Sequence, residues 1–249
     1  MNSYPDRNCL TYWFARIEEA GLPVPKTRVV RIPTDSIYVD LMRPIDGRPF
    51  QGPALAWLEV LKLAVAEIGV PCFLRTGQTS GKHEWEKTCH VPTVESVPAH
   101  VLSLIDFSEA ACIPGLDWRV WAVRELLPTK PLAIIYRAMP LCREYRCFVD
   151  GGELLCSHPY WPWEPVVREF WGDSESIDID SIYHAATTVT DRERQEIEEL
   201  AKRAGAACGG RWSVDILDTE RGWYVTDMAV MEESWHWPGC LNAPENGGV

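Results

Sequence analysis

The segment CFLRTGQTSGKHEW, residues 72–85, places two cations around glycines and small hydroxyl residues. A Walker phosphate loop needs four residues between its glycines and a Ser or Thr after its lysine. Only three residues separate Gly77 from Gly81, and a histidine follows Lys82, so the pattern excludes a Walker NTPase. Arg75 and Lys82 nevertheless suit a polyphosphate that side chains bind directly. The alternative interpretation is a solvated loop with ordinary surface charges.

A second group of residues that could do chemistry is a pair of acids in the hairpin RWSVDIL–DTERG–WYVTDMAV. A loop over 218–222 predicts that Leu217 pairs with Trp223. In that register Asp215 and Asp227 are diagonal neighbours on one face, about 7–8 Å apart at the backbone. A register shifted by an odd number would put them on opposite faces.

These acids predict a site for a hard cation. Asp215 lies between apolar residues, and a carboxylate buried there needs a metal ion or a cationic partner. Glu232 and Glu233 follow Asp227 within a short segment, so an oxygen-only magnesium site is expected, with water and substrate phosphate as further ligands. An ion pair is the alternative for Asp215 and Asp227.

The remaining metal-binding residue types show no familiar spacing. The nine cysteines include no CxxC pair, so the sequence predicts neither a zinc site nor a disulfide framework. His83 and His236 lie near the candidate segments, but no His–Cys or His–Ser–Asp arrangement is visible. Solvated or core histidine is therefore the expectation for both.

Tryptophan is abundant, with twelve residues. Five of them cluster near the candidate segments, either lining a pocket or packing in the core. They are Trp161, Trp163, Trp171, Trp235 and Trp237.

Composition bounds the class of protein. Apolar residues make up 46% and charged residues 24%, as in ordinary globular proteins, and the net charge is -12. A general electrostatic grip on nucleic acid or anionic membrane is not expected at that charge. No apolar run approaches the ~20 residues that span a bilayer, and the N-terminus lacks a signal pattern. We expect a cytoplasmic protein without a membrane or nucleic-acid partner.

Helices and hairpins must position these residues. The pattern predicts a helix near 8–20, a strand at 28–32 and an apolar helix that ends at Gly69. REYRCFVDGGELLCSHPYW indicates a hairpin with its turn at DGG. Thr190 and Glu193 form a capping box that opens another helix. Because strands arrive in hairpins as well as after helices, the predicted fold class is α+β.

Four segments in this order resemble the ATP-grasp superfamily: FLRTGQTSGKHEW, AVRELLP, REYRCFVDGGELLCSHPYW and WSVDILDTERGWYVTDMAV. The similarity runs from about residue 70 to 235. Its nearest group holds small bacteriophage ATP-grasp proteins and a eukaryotic cell-division-cycle protein that assembles a translation initiation complex. No single segment is diagnostic, and the shared order carries the resemblance.

The resemblance implies a nucleotide held between two α+β lobes with antiparallel or mixed sheets. It predicts an N-terminal α/β lobe over 1–69, a small ATP-grasp lobe over 70–128 and a C-terminal lobe over 129–249. A phosphate-covering loop is expected at 76–84. The implied cofactors are ATP and Mg²⁺, and the commonest implied reaction ligates a carboxylate to an amine through an acyl-phosphate.

Roles in nucleotide binding follow from matching positions. By resemblance, Arg75 is the basic residue at the end of the strand that lies over the phosphates. Lys82 is the cation of the phosphate-covering loop, and the resemblance also gives it a catalytic role. Glu125, with the backbone of Leu126 and Leu127, resembles the hinge that holds adenine and ribose.

The catalytic arginine and the metal ligands are also implied by resemblance. Arg146 matches an arginine that reaches the γ-phosphate or the acyl-phosphate, and Asp215 and Asp227 match metal-binding acids. The sequence departs from the pattern at Ala229, where relatives carry Asn or Glu. Glu233 is the expected substitute ligand, with Glu232 as the alternative.

Three functions stay open at this point. The first is an ATP-dependent ligase that acts on a small molecule, an amino acid or a peptide. The second is an ATP-binding assembly factor that shapes a surface for a protein partner without ligation. The third is a structural protein with a degenerate site.

Overall fold

The computed structural model describes residues 6–110, 117–136, 138–164, 166 and 178–243. By its contacts the chain divides into two compact units. The C-terminal unit comprises Met1–Val24, Pro128–Ile135 and Pro140–Val249, and the central unit comprises Pro25–Leu127 and Tyr136–Met139. Each contains helices and one four-stranded sheet whose described strand pairs are antiparallel, which confirms the α+β prediction.

The described α-helices begin and end as follows: α1 Leu10–Glu19, α2 Asp35–Met42, α3 Gly52–Ile68, α4 Val97–Ala110, α5 Ile179–Thr187 and α6 Asp191–Cys208. The strands are β1 Thr27–Arg31, β2 Cys72–Thr76, β3 His90–Val91, β4 Val120–Glu125, β5 Ala133–Ile135, β6 Met139–Leu141, β7 Glu144–Asp150, β8 Glu153–Pro159, β9 Arg211–Thr219 and β10 Gly222–Val230. Among the described residues, no helix has the length and apolarity needed to cross a bilayer.

In the central unit the strand order is β1-β4-β2-β3. Helix α3 follows the predicted spacing, because Leu58, Leu61 and Val65 are buried against this sheet's core. The helix stops at Gly69, whose φ of +98° is accessible to glycine and strained for other residues. β1 joins this sheet by pairing with β4, and this pairing places residues 25–69 in the same unit as β2.

In the C-terminal unit the strand order is β10-β9-β7-β8. Thr190 and Glu193 form the predicted capping box at the start of α6. This helix packs on the face that carries Val149 and Trp212, and α1 packs against α6 and β10. The contacts of α1 group residues 1–24 with 128–135 and 140–249, whereas the sequence predicted a lobe over 1–69.

Candidate functional site

The candidate residues of the central unit begin with Arg75 near the end of β2. Its side chain is only 3% exposed, and its Nε donates to the carbonyl of Thr76 at 3.1 Å. The Thr76 hydroxyl accepts from the backbone N–H groups of Gln78 and Thr79. A backbone bond from Thr76 N to Thr79 O at 2.9 Å closes the same turn. The first part of the predicted phosphate-covering loop is therefore tightly folded.

Lys82 follows a second fixed turn. Gly81 has φ +59°, and its carbonyl accepts from the Thr88 hydroxyl at 2.7 Å. A Cβ at Gly81 would lie 3.1 Å from Thr88 Cγ2, so another residue would be strained by its φ and would also crowd Thr88. Lys82 itself is half-buried at the start of a short 3₁₀ turn, and the neighbouring His83 ring stacks on Tyr136 at 4.4 Å.

The predicted hinge lies at the end of β4. Glu125 pairs with the chain before β1, because its Oε1 accepts from Lys26 N at 3.0 Å and its own N–H donates to Lys26 O at 2.8 Å. Leu126 and Leu127 follow the strand, half-buried and buried respectively. Their peptide groups lie outside the β-ladder, as a hinge that offers backbone atoms to a ligand requires.

In the C-terminal unit, Arg146 and Asp215 form a buried, two-point ion pair. The β7–β9 ladder places them directly opposite each other. Nε and Nη2 of Arg146 donate to the two Asp215 carboxylate oxygens at 2.7 and 2.8 Å. Only 17% of the arginine side chain and 9% of the aspartate side chain are exposed. Burial alone would lower the pKa of Arg146, but the Asp215 carboxylate more than offsets this and raises the pKa, so the guanidinium stays charged.

Asp227 reaches the same face through a β-bulge. The predicted register is wrong by one residue, because Tyr224 rather than Trp223 lies opposite Leu217. A β-bulge between Val225 and Asp227 shifts the register by one more residue. The pairing of Asp227 therefore differs from the prediction by two residues, and this even shift leaves its side chain on the predicted face. Asp227 therefore lies directly opposite Asp215, closer than the predicted diagonal, and both side chains share one face.

The other predicted metal ligand lies apart from this pair. Glu233 is exposed beyond the end of β10, and its Oε2 accepts from Asn8 Nδ2 at 2.5 Å. Glu232 is also exposed and pairs with Arg211 at 2.8 Å. By donor chemistry, Asp215 and Asp227 fit a hard cation, whereas the contact of Glu233 with Asn8 does not favour it as a ligand.

The sequence did not reveal that the segment after β10 covers this face. The carbonyl of Trp235 accepts from Arg146 Nη1 at 3.4 Å, and the Ser234 hydroxyl lies 2.6 Å from that of Ser213. Ser213 lies opposite Ala229, so these hydroxyls lie near the position where the resemblance predicts a metal-ligating Asn or Glu. The Trp235 and Trp237 rings meet edge to face, while Trp171 of the predicted cluster lies outside the described residues.

Comparison with known proteins adds information about the fold. No protein-family model and no curated protein sequence matches the chain. Among solved structures, Cdc123 from Schizosaccharomyces pombe matches with TM-score 0.56 and 15% identity over 90% of this chain and 84% of that one. An ATP complex of biotin carboxylase from Campylobacter jejuni matches with TM-score 0.50 and 13% identity over 87% and 38%. A RimK domain ATP-grasp protein from Sphaerobacter thermophilus matches with TM-score 0.47 and 17% identity over 90% and 60%. The chain has an ATP-grasp-like fold that resembles the fold of Cdc123.

Proposed function

We propose that this protein is an ATP- and Mg²⁺-dependent ligase that joins a carboxylate to an amine or a similar nucleophile and forms ADP. The observation that carries the proposal is the charged set on one face of the C-terminal sheet. Arg146, Asp215 and Asp227 lie side by side there in an ATP-grasp-like fold. Burying charged groups together is costly, and functional sites are where proteins bear that cost.

The acids and the arginine of this face have distinct proposed roles. Asp215 and Asp227 hold magnesium, which when bound supplies neutralising charge beside the phosphates. Arg146 binds the transferred phosphoryl group, because a guanidinium fork matches phosphate oxygens in two places. In the ligand-free protein the ion pair keeps both charges satisfied, and we expect Arg146 and Asp215 to exchange partners when MgATP binds.

The central unit supplies the proposed contacts to the rest of the nucleotide. Arg75 and Lys82 are assigned to the phosphates, and Glu125 with the backbone of Leu126 and Leu127 to ribose and adenine. These assignments rest on the sequence resemblance. The peptide groups after β4, which lie outside the β-ladder, and the fixed turn before Lys82 agree with them.

The proposed reaction has two steps. A carboxylate oxygen of the substrate attacks the γ-phosphorus, and the bond to ADP breaks. The amine then attacks the acyl carbon, phosphate leaves, and the amine loses a proton. Arg146 and Lys82 neutralise the charge that develops on the transferred group. The acid is a small molecule, an amino acid or a peptide.

A second candidate function is an ATP-binding assembly factor for a protein partner. The structural similarity to Cdc123 over 90% of this chain favours it. The group of ATP-grasp proteins that the sequence resembles also includes a protein that assembles a translation initiation complex. Ala229 favours it as well, because the position cannot ligate a metal. In this alternative the nucleotide is bound but drives no ligation.

The experiment that tests the proposal separates binding from turnover. Calorimetry with ATP, with and without Mg²⁺, measures binding, and incubation of MgATP with pools of acids and amines is followed for ADP and new products by mass spectrometry. ADP together with an adduct supports the ligase, and tight binding without turnover supports the assembly factor. Absence of ATP binding in the presence of Mg²⁺ contradicts both.

Matched variants locate the site. Asp227→Asn should abolish Mg²⁺-dependent binding and turnover, whereas Asp150→Asn changes an exposed acid of the same sheet and should leave both unchanged. Lys82→Ala should weaken binding, and Lys87→Ala, at an exposed lysine paired with Glu84, is its control. Activity that survives both Asp227→Asn and Lys82→Ala would show that the assigned site is wrong.

A further inference from the structure

Four side chains with metal-binding donor atoms converge beside β8, the edge strand of the C-terminal sheet. One donor atom from each lies within 4.8 Å of every other. We call this group the Cys₂His₂ cluster; its members are Cys156, His158, His236 and Cys240. The sequence predicted no zinc site because it lacks a CxxC pair, and the structure shows another route to the same ligand set.

Strand geometry supplies the first two ligands. Cys156 and His158 are separated by one residue on β8, so the two-residue period of a strand puts them on one face. The ladder confirms this, because the two residues lie opposite Phe148 and Arg146, which are likewise separated by one residue on β7 and share a face. A Cys-x-His spacing on a strand thus does what CxxC does in a tight turn.

A turn in the chain after β10 supplies the other two ligands. Cys240 N donates to Trp237 O at 3.3 Å, and the turn has Pro238 followed by Gly239 with φ +80°. Proline and then a glycine at positive φ is the pattern of a type II turn. The turn folds Cys240 back towards His236, which produces the His-x₃-Cys half of the cluster.

Side-chain hydrogen bonds fix this segment along β8. Trp237 Nε1 donates to Pro159 O at 2.7 Å, and Asn242 Nδ2 donates to Leu155 O at 2.7 Å. The two anchors lie at opposite ends of the cluster. The ligands are therefore held together by the fold before any metal is considered.

Contacts within the cluster leave a donor atom available. Cys156 Sγ lies 3.1 Å from His236 Nε2, and the His158 and His236 rings are 5.0 Å apart. Within the described part of the chain, the buried Nε2 of His158 has no hydrogen-bond partner. A buried polar atom without a partner is destabilising, and a metal ion would satisfy it.

We propose that the Cys₂His₂ cluster is a structural zinc site. Zn–S bonds of about 2.3 Å and Zn–N bonds of about 2.0–2.1 Å in a tetrahedron place ligand atoms about 3.3–3.8 Å apart. The observed cluster needs only a small closure to reach this. Two sulfur and two nitrogen ligands in a tetrahedron favour zinc, and four protein ligands leave no open position for catalysis.

Charge also favours this metal and these ligands. Arg146 lies opposite His158, and Asp215 already balances its charge. Two thiolates cancel the two charges of zinc, and the complete site adds none beside the arginine.

The site would clamp the chain after β10 over the face that carries Arg146. Trp235, which accepts a hydrogen bond from Arg146, directly precedes the ligand His236. Zinc binding should therefore stabilise this cover. Zinc binding at this site requires neither ATP nor ligation.

The test measures zinc on the untagged, full-length chain. After purification without chelator, elemental analysis should find one zinc per chain, and competition with a chromophoric chelator should give saturable one-site binding. Cobalt(II) should produce the intense visible bands of a tetrahedral thiolate site in the wild-type protein. These three measurements need no variant, so they stand even if a variant fails to fold.

Cysteine variants identify the ligands. Cys240→Ser should lower zinc affinity about 100-fold or more, since even outer-shell changes cost 10–100-fold. Cys208→Ser, at a half-buried cysteine outside the cluster, should bind zinc like the wild type. Equal affinity of both variants, a reduced wild-type chain that binds no zinc, or a Cys156–Cys240 disulfide that persists in place of metal would overturn the proposal.

Discussion

The Arg146–Asp215 ion pair allows a quantitative prediction. Asp215→Asn keeps the shape of the side chain but removes the charge that neutralises a guanidinium only 17% exposed. Removing one partner of a buried pair costs about 3–5 kcal/mol, whereas exposed pairs contribute about 0–1 kcal/mol. Arg146 retains some water, the Trp235 carbonyl and the Tyr160 ring at 4.7 Å, so we expect the lower end, about 3 kcal/mol.

Equilibrium unfolding in urea at pH 7 is the assay, with circular dichroism and tryptophan fluorescence recorded together. With an m-value of about 3 kcal/mol/M, a loss of about 3 kcal/mol lowers the midpoint by about 1 M. The control is Glu199→Gln, which breaks the exposed Lys202–Glu199 pair of α6. The control should change the free energy of unfolding by less than about 0.5 kcal/mol.

The double variant Arg146→Met/Asp215→Asn makes the reasoning refutable. If the cost of Asp215→Asn comes from an unpaired buried charge, then removing that charge as well should recover part of the lost stability. Two results would refute the argument: Asp215→Asn as mild as Glu199→Gln, or a double variant whose destabilisation equals the sum of the single ones.

Two further predictions concern α6. Gly205→Ala gains about 1 kcal/mol of helix propensity, but its Cβ would lie 2.6 Å from Val149 Cγ2, and overpacking costs about 1–3 kcal/mol. We expect net destabilisation in the wild type and stabilisation in a Val149→Ala background, both measured by urea unfolding; the same sign in both would contradict the steric explanation. The Thr190 backbone N–H, helped by an arginine, lowers the pKa of Glu193 to about 2. A lowered carboxylate pKa stabilises the fold above its unfolded value of about 4.3, and the effect is lost as pH falls towards 2. The gap in urea midpoint between wild type and Glu193→Gln should therefore shrink from pH 6 to pH 2.5, and a constant gap would contradict the assignment.

Local rules were sufficient for much of the fold. The apolar spacing of α3, its stop at Gly69 and the capping box at Thr190 each depend on residues within a few positions of one another. Such features are decided by backbone sterics and hydrogen bonds inside one element. The α+β class followed from the order of these elements, and the structure confirms it.

Features that depend on strand register could not be predicted from neighbouring residues in the same way. Thr219 pairs with Gly222, so the β9–β10 turn has two unpaired residues instead of the five predicted, and no glycine or proline marks the bulge before Asp227. Asp227 shares a face with Asp215 only if the total register shift is an even number of residues. The prediction that they share a face holds because two independent shifts sum to an even number.

The Cys₂His₂ cluster escaped sequence analysis for a related reason. Its halves are 80 residues apart between Cys156 and His236, and only the alignment of the last segment along β8 joins them. Neither Cys-x-His nor His-x₃-Cys is distinctive in isolation. A search for ligand pairs at strand spacing, rather than at the spacing of a tight turn, is the signal that could have found it.

Asp215 shows the limit of reasoning from burial. An acid between apolar residues demands a positive partner, and this demand was visible in the sequence. The sequence did not say which partner meets it. Cross-strand pairing brings Arg146 to both carboxylate oxygens, so the demand is met without a metal. Magnesium at Asp215 must therefore compete with a guanidinium already in place, which it can do only if a phosphate takes Arg146 at the same time. Mg²⁺ alone should consequently bind weakly, and Mg²⁺ and ATP should bind cooperatively.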